Sequence, residues 1–462
     1  METRKIFKCF ISSPSDCNTE REECKKVINE LNSSFAKHLG VSLDTFMWED
    51  DVLPDMGRSG QEIIDEYIKK SNYDIFIGIM KHRFGQPTQK AGSGTEHEFR
   101  DALERKKSSE KIPRIIFFFG KEEVDPDLVD FEQYNKVKNF KLGISAEGIY
   151  VDYSGIESFE ENLKQKLKLF IEENSQFENA KKISNDIDGI LKKLVSDLDE
   201  SLTTYNEKTP VWIEPIISSK KDIPNNPNKN FEHKVEIESI IEKPENIVIK
   251  APSEFGLTSL AHYIKLEAYK KGKIFVYIDS KKIKRNKIVN QIKKEVGNYY
   301  STEFSKLDCI LIDSVCFEEN GVMQMIKNVC EEFKEIPLII FNTLDNNFFL
   351  SSQEDEKIEI KRSFTSLYLL PLPQTELRKI VTTYSRDREI AEDYNVILDK
   401  VAKDLEVLNM HRTPKNCISI LRASHKIGSD YGPINRTKLL DTILNTIFKN
   451  MRFPHIIVKN QM

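Results

Sequence analysis

The feature that most constrains the fold is an alternation, met twice along the chain, between short apolar runs and helix-spaced apolar stripes. Apolar runs of this length predict buried strands. Strands that alternate with helices predict a parallel sheet covered on both faces. The first alternation fills residues 1–173 and closes with a helical stripe from Phe159 to Ile171. Its five predicted strands are "IFKCFIS", "VSLDTFMW", "YDIFIGIM", "RIIFFF" and "GIYVDY".

The second alternation starts near Val235, after a charged helical connector and a loop rich in Pro, Asn and Lys. From Gln374 onward the spacing of apolar residues is mostly helical. We therefore predict an α/β chain in four parts, residues 1–175, 176–232, 233–373 and 374–462. The last part would be helical and could contain a winged helix. The predicted strands of the second alternation are "NIVIKA", "KIFVYID", "CILID", "PLIIFNTL" and "SLYLLPL".

Composition limits the environment and the partners. A chain of 462 residues is long enough for two or three domains with their own cores. The net charge of −5 predicts no general attraction to nucleic acid, although it leaves a local basic patch open. Seven scattered cysteines favour a reducing cytoplasm over a disulfide framework. The first apolar run is too short for a signal peptide, and none is long enough to span a bilayer.

Several loops of the first alternation carry polar residues where predicted strands end. "FISSPSD" closes the first strand, and "WEDDVLPDMGRSGQEIID" follows the second. "MKHRFGQPTQKAGSGTEHEFRDAL" follows the third strand and runs into a helix. Ligands of parallel α/β sheets bind at such carboxyl ends of strands. We therefore expect a site there.

Together these stretches resemble a TIR domain of the prokaryotic type. "FISSPSD" resembles the first-strand motif of that family. "LPDMGRSGQEIIDEYIKKSNYDIFIGI" resembles its BB loop, second helix and third strand, and "EHEFRDAL" its catalytic helix. The resemblance covers about residues 4 to 173 and implies a flavodoxin-like fold. It places Glu98 at the catalytic glutamate. Because Gly94 stands where many TIR domains have Trp, Glu96 is the second candidate.

The resemblance also implies a reaction, the cleavage of NAD between nicotinamide and ribose. NAD would be the substrate, and no cofactor would be required. A carboxylate close to the ribose would stabilise the developing positive charge. The implied substrate-binding residues are Phe10, Ser12, Ser13, Trp48, Arg83 and Phe84.

Some of these residues also have a structural interpretation. Thr95 and Glu98 have the spacing of a capping box, which would explain the glutamate without catalysis. Trp48 could be a core aromatic, and Arg83 could be a solvated or paired surface residue. No His or Cys accompanies the acids of "WEDD" at ligand spacing, so we predict no metal site.

A second motif, "APSEFGLTSLAHY", has the context and spacing of a phosphate-binding P-loop but lacks two of its key residues. Ala251 replaces the first Gly and Leu257 replaces the Lys, whereas Gly256 and Thr258 remain. "CILID" resembles a Walker B strand that ends in Asp313, with Ser314 where a catalytic acid often follows. Residues from about Val235 to Ala423 resemble a STAND ATPase. We predict that this domain does not hydrolyse ATP, and a chance match in another α/β domain is the alternative.

Two classes of function follow from these resemblances. The first is an NAD glycohydrolase effector of bacterial antiphage defence, activated by assembly into a homo-oligomer and by a separate sensor or trigger. The second is a non-enzymatic TIR adaptor. An enzyme that makes a cyclic ADP-ribose isomer is a variant of the first. The sequence predicts no membrane partner.

Overall fold

The structure is a computed structural model of the whole chain. It describes residues 4–46, 72–88, 91–109, 112–121, 130–204, 207–208, 212–221, 233–299, 307–344, 362–390, 393–427 and 437. The chain divides into two compact units: unit 1 comprises residues 1–189 and 270–272, and unit 2 comprises residues 190–269 and 273–462. Each is a unit of α/β structure, which confirms the predicted fold class.

Unit 1 contains a parallel sheet of five strands in the order β2-β1-β3-β4-β5. Each strand coincides with one of the five apolar runs predicted from the sequence. Strand order 2-1-3-4-5 is that of the flavodoxin-like folds, so the chain reverses direction across the sheet between β1 and β3. The strands are β1 Lys5–Ser12, β2 Val41–Phe46, β3 Ile75–Met80, β4 Arg114–Gly120 and β5 Val151–Tyr153.

Two apolar cores lie on opposite faces of this sheet. One packs α1 and α4 against the alternate residues Cys9, Ile11 and Ile77, and the other packs α2 and α3 against Phe10 and Phe76. The predicted helix through Ile63 to Ile68 lies outside the described residues. The helices are α1 Asn18–Ser34, α2 Gly94–Ser109, α3 Phe131–Ile144, α4 Gly155–Glu173 and α5 Ala180–Leu202, the last crossing the boundary between the units.

Unit 2 contains a six-stranded sheet in the order β10-β11-β12-β9-β13-β8, after a small hairpin of β6 and β7. Five strands are parallel and match the predicted ones. The edge strand β8 is antiparallel to β13 and, with only three residues, left no detectable pattern in the sequence. The strands are β6 Thr203–Thr204, β7 Glu207–Lys208, β8 Ile216–Ser218, β9 Ile247–Pro252, β10 Phe275–Asp279, β11 Cys309–Val315, β12 Leu338–Leu344 and β13 Thr365–Leu370.

Helices cover both faces of this second sheet, and three further helices form a cluster of their own beyond it. That cluster is the described part of the predicted helical C-terminal region, and the short run "PHIIV" lies outside the described residues. The helices are α6 Ile237–Glu242, α7 Leu257–Lys270, α8 Ile288–Tyr299, α9 Val322–Glu332, α10 Gln374–Asp387, α11 Tyr394–Val407 and α12 Pro414–Ile427.

The imidazole of His262, on α7, predicts a pH dependence of stability. The centroid of its ring lies 4.2 Å from that of Tyr277. Burial lowers the pKa of the His262 imidazole to about 4, below the value of about 6.5 in an unfolded chain. Between these values the unfolded chain binds more protons, so stability falls as pH falls. The loss reaches about 2 kcal/mol at pH 5. Urea unfolding of wild type and His262→Gln at pH 7 and 5 checks this, since Gln does not titrate; equal losses in both proteins would contradict it.

Candidate functional site

The first candidate site lies at the carboxyl edge of the unit 1 sheet, between β1 and β3. The loops that leave these two strands diverge to opposite faces of the sheet, because α1 follows β1 and α2 leads away from β3. Such a point of divergence is where flavodoxin-like sheets leave a crevice for a ligand. The predicted residues lie at this edge: Ser12 ends β1, Ser13 and Arg83 lie on the two loops, and Glu98 lies on α2.

Glu98 and Ser12 are directly bonded. Ser12, the last residue of β1, donates a short hydrogen bond from Oγ to Oε2 of Glu98 on the second turn of α2. Both side chains are buried, at 1% and 6% exposure. A carboxylate this deep needs hydrogen-bond donors to stay charged. The fold thus brings together the first-strand motif and the helix motif of the sequence.

The cap of α2 is made by other residues than the sequence predicted. Helix α2 begins at Gly94, so Ser93 is the N-cap, and its Oγ accepts a hydrogen bond from the amide of Glu96 at 3.1 Å. The Glu96 carboxylate accepts from the amide of Gly92 at 2.8 Å and pairs with Arg100. Ser93 and Glu96 therefore cap the helix, and the prediction of a Thr95–Glu98 capping box was wrong. Glu96 is occupied by the cap, whereas Glu98 is not.

The loop after β3 is fixed through its backbone. Asp16 Oδ2 accepts from the amides of His82 and Arg83 at 3.1 and 3.0 Å. Gln133 Oε1, on α3, accepts from the amides of Phe84 and Gly85 at 2.9 and 3.0 Å. The exposed Arg83 guanidinium donates to Ser15 Oγ at 3.3 Å, so it bridges the two loops. Its position is compatible with contact to an anion.

The predicted aromatic wall is largely core. Phe10 is fully buried, with its ring centroid 5.4 Å from that of Phe46 and 5.3 Å from that of Tyr73. Phe84 is 5% exposed and packs edge-on against Phe140. Both rings are buried: Phe10 faces α2 and α3 from its strand, and Phe84, in the loop after β3, packs against α3. Trp48 lies outside the described residues.

Two further buried polar features belong to unit 1. The Oγ of Ser13 is buried and, among the described residues, has no hydrogen-bond partner. On the opposite face, sequence reasoning missed a buried cluster in which Glu20 Oε1 accepts from Tyr153 Oη at 3.0 Å and pairs with Lys81 at 2.8 Å. Glu20 sits in a run of charged residues, "NTEREECKK", so its burial carried no signal in the sequence.

The second candidate site surrounds the degenerate P-loop of unit 2. Ala251 is a buried strand residue, and Gly256 has the positive φ of 89° for which Gly is favoured. Leu257 begins α7 and is 7% exposed, packed in the core of unit 2. Its side chain therefore fills apolar space on the helix rather than replacing the lysine at a phosphate. Glu254 also has a positive φ, 73°, which is uncommon outside Gly.

The magnesium ligands of a working P-loop are bonded to each other here. Thr258 Oγ1 donates to Asp313 Oδ2 at 2.7 Å, and Tyr277 Oη donates to the same oxygen at 2.9 Å. Burial raises the pKa of Asp313, against the effect of these two donors. Ser314, at a positive φ of 59°, follows in place of an acid. In the part of the chain that is described, no group of three or more His, Cys, Asp or Glu side chains could hold a metal ion.

A cavity of about 410 Å³ adjoins this loop. Its lining combines the loop, the ends of the strands and the segment before α12. Lys415, in the first turn of α12, pairs with Glu254 at 2.8 Å. Lys281 and Arg412 also line the cavity and have no carboxylate partner within the described ranges.

Restoring the P-loop lysine is expected to destabilise unit 2 without creating an ATPase. Leu257→Lys exchanges a buried apolar side chain for a charged one, at an expected cost of about 2 kcal/mol in the free energy of unfolding. Leu257→Met, of similar volume, is the control. Urea unfolding and phosphate release from ATP with magnesium check both parts. Unchanged stability together with ATP turnover that Thr258→Ala abolishes would contradict this expectation.

Comparison with known proteins gives a family match for unit 1. Residues 8–168 match the family model described as a domain of unknown function, DUF4062. No curated protein matches the chain. Among the described residues, no helix has both the length and the apolar character needed to cross a membrane.

Solved structures show low similarity. NtrX from Brucella abortus in complex with ADP is 12% identical, with a TM-score of 0.31 over 94% of this chain and 86% of that one. Orc1 from Aeropyrum pernix in complex with DNA is 13% identical, with a TM-score of 0.32 over 46% of this chain and 64% of that one. A RuvB mutant from Thermotoga maritima is 15% identical, with a TM-score of 0.27 over 47% and 75%.

Proposed function

We propose that the chain is a TIR-type NAD glycohydrolase whose active site is the carboxyl edge of the unit 1 sheet. The observation that carries the proposal is the Ser12–Glu98 pair. A buried carboxylate that does not cap its helix is held at the crevice between β1 and β3. The order of the motifs in the sequence supports the same assignment.

The reaction needs little from the protein. The bond between the ribose carbon and the pyridinium nitrogen breaks, both electrons pass to nitrogen, and neutral nicotinamide leaves without a proton. A water molecule then adds to the ribose carbon and loses a proton. Glu98 would stabilise the positive charge that develops on the ribose, since a fixed carboxylate in a site shielded from water acts strongly on nearby charge. The hydrogen bond from Ser12 would fix the direction of that carboxylate.

Two further residues have supporting positions. Ser13 Oγ, without a partner among the described residues, could bond a ribose hydroxyl. Arg83, exposed and anchored by its amide to Asp16, could offset the pyrophosphate charge. Phe10 and Phe84 receive no role in this proposal, because both are packed in the core.

The test of the proposed function is nicotinamide release from NAD by the purified full-length protein. We expect release that grows with time, with ADP-ribose or a cyclic isomer as the second product. No release at any protein concentration, or after crowding, would instead support the non-enzymatic TIR adaptor. The low exposure of Glu98 would then explain the lack of activity.

We expect the specific activity to depend on assembly. An NAD-depleting enzyme in the cytoplasm harms the cell, so a site completed only in a homo-oligomer, or by a separate trigger, would keep it silent until phage infection. The candidate BB loop, residues 49–60, lies outside the described residues. Dilution of the full-length protein and of a 1–175 fragment, with activity measured per molecule, checks this expectation. Equal activity in both at every concentration would show that assembly is not the switch.

A further inference from the structure

The loop that leaves β3 is held at each of its first five residues. Lys81 pairs with Glu20 of α1 at 2.8 Å. The next two backbone amides donate to Asp16, and the two after them donate to Gln133. Loops are usually more mobile than the elements that they connect. This one, residues 81–85, is instead fixed to the start of α1 on one side and to α3 on the other.

Gln133 makes its two bonds away from its own helix. Asp130 is the N-cap of α3, and its Oδ1 accepts from the amides of Glu132 and Gln133 at 3.0 and 3.2 Å. A Gln three residues after an N-cap ordinarily returns its side chain to the N-cap amide and completes a capping box. The Oε1 of Gln133 accepts from the β3 loop instead. This side chain therefore holds the loop and not the cap.

The end of the loop lies against the start of α2, the helix that carries Glu98. Gly85 has a φ of 102°, where a side chain is strained, and a Cβ there would lie 3.3 Å from that of Ser93, the N-cap of α2. The Phe84 ring lies so close to Gly92 that a Cβ at that residue would meet it at 2.9 Å. The placement of the loop therefore sets the placement of the helix start.

The first half of the loop carries Arg83, the cation that offsets the pyrophosphate charge in the proposed function. Its amide donates to Asp16 at 3.0 Å, and its guanidinium donates to Ser15 Oγ at 3.3 Å. A side chain that is already tied at its backbone and at its tip loses less freedom when it binds an anion. Asp16 thus acts on the placement of Arg83, whereas Gln133 acts on the placement of α2.

We propose that Gln133 and Asp16 are positioning residues of the NAD site, an inference that rests on the proposed function. Neither touches the substrate. Gln133 sets α2 so that Glu98 faces the ribose, and it acts on kcat, because the carboxylate stabilises charge that develops only in the transition state. Asp16 sets Arg83 and acts on KM, because the pyrophosphate carries the same charge before and during cleavage.

Steady-state nicotinamide release by full-length variants is the first test. Gln133→Met keeps the length of the side chain and removes the acceptor, so we expect kcat to fall about tenfold with KM nearly unchanged. Asp16→Ala should instead raise KM about fivefold with kcat nearly unchanged. Gln133→Glu and Asp16→Asn keep an acceptor and should restore activity close to that of wild type. Asn135→Leu, at an exposed amide of the same helix, is the matched control and should change neither constant.

Hydrogen exchange in the segment 81–85 tests the contacts without relying on catalysis. We expect its amides to exchange about tenfold faster in Gln133→Met and in Asp16→Ala than in wild type, because each substitution removes the acceptor of two of them. Gln133→Glu and Asn135→Leu should exchange at the wild-type rate. Thermal unfolding shows that each variant is folded.

The two measurements separate these positioning roles from the proposed function. If wild type cleaves NAD, full activity in Gln133→Met, a loss that Gln133→Glu shares, or a fall in kcat without a rise in KM in Asp16→Ala would overturn the roles. If wild type releases no nicotinamide, the proposed function fails, and exchange alone decides. Equal exchange in wild type, Gln133→Met and Asp16→Ala would then show that these side chains do not hold the loop.

Discussion

Replacing Glu98 by Gln is expected to lower the rate of NAD cleavage at least about 100-fold, equivalent to ~3 kcal/mol of transition-state stabilisation. The amide keeps the shape of the side chain and can still accept a hydrogen bond from Ser12. It cannot supply the negative charge that the ribose cation needs. Because Ser93 and Glu96 make the helix cap, the substitution leaves the start of α2 intact. Nicotinamide release at saturating NAD, together with thermal unfolding, is the measurement.

Glu96→Gln is the matched control for this experiment. It removes the same charge two residues away, where the side chain caps the helix and pairs with Arg100. We expect its activity to stay within a few-fold of wild type. Full activity in Glu98→Gln would refute the assignment, and full activity there with loss in Glu96→Gln would move the catalytic role to Glu96.

The second large effect is on stability. Phe10→Ala is expected to lower the free energy of unfolding of unit 1 by about 3–5 kcal/mol, as for other fully buried aromatic rings. The ring packs against Phe46, Tyr73 and Phe76, so its removal leaves a cavity in the centre of one face of the sheet.

Chemical denaturation of the full chain checks this value. Phe177→Ala, at a ring that is 47% exposed, is the control and should cost less than about 1 kcal/mol. If Phe10→Ala left stability unchanged while weakening NAD binding, the ring would be part of the substrate site, as the sequence alone suggested.

Period and hydrophobicity were enough to predict the architecture. Fully buried parallel strands are almost continuous apolar runs, so "YDIFIGIM" and "PLIIFNTL" identified β3 and β12 without ambiguity. The antiparallel edge strand β8 was missed because three residues carry no period. Helix α3 was not predicted either, for a different reason: Phe131 and Leu142 are exposed, so its apolar residues do not follow one clear stripe.

The site was predicted in part, for a physical reason. Motifs place residues along the chain, but which face of a strand or turn of a helix a side chain occupies depends on a register of one or two residues. The contact between Ser12 and Glu98 was not specified by the sequence. The cap of α2 is made by Ser93 and Glu96 instead of Thr95 and Glu98, and the Phe10 side chain lies in the core. The cations of the unit 2 cavity come from two segments more than 120 residues apart in the sequence, so no local motif could indicate them.

The loss of the P-loop lysine has a simple structural consequence. Leu257 is held in the core of unit 2, and Thr258 is bonded to Asp313. The strand, turn and helix are kept, whereas the lysine is lost and the two residues that bind magnesium in a working P-loop are bonded to each other. A domain with this arrangement is better suited to binding or framing than to hydrolysis.

The most direct test of the central claim is a crystal structure of the Glu98→Gln variant with NAD bound. We expect the ribose next to nicotinamide to lie within about 3 Å of the residue 98 amide, at the crevice between β1 and β3. Ser12 should still be hydrogen-bonded to that side chain. NAD bound elsewhere, or with its ribose facing Glu96 and away from residue 98, would contradict it.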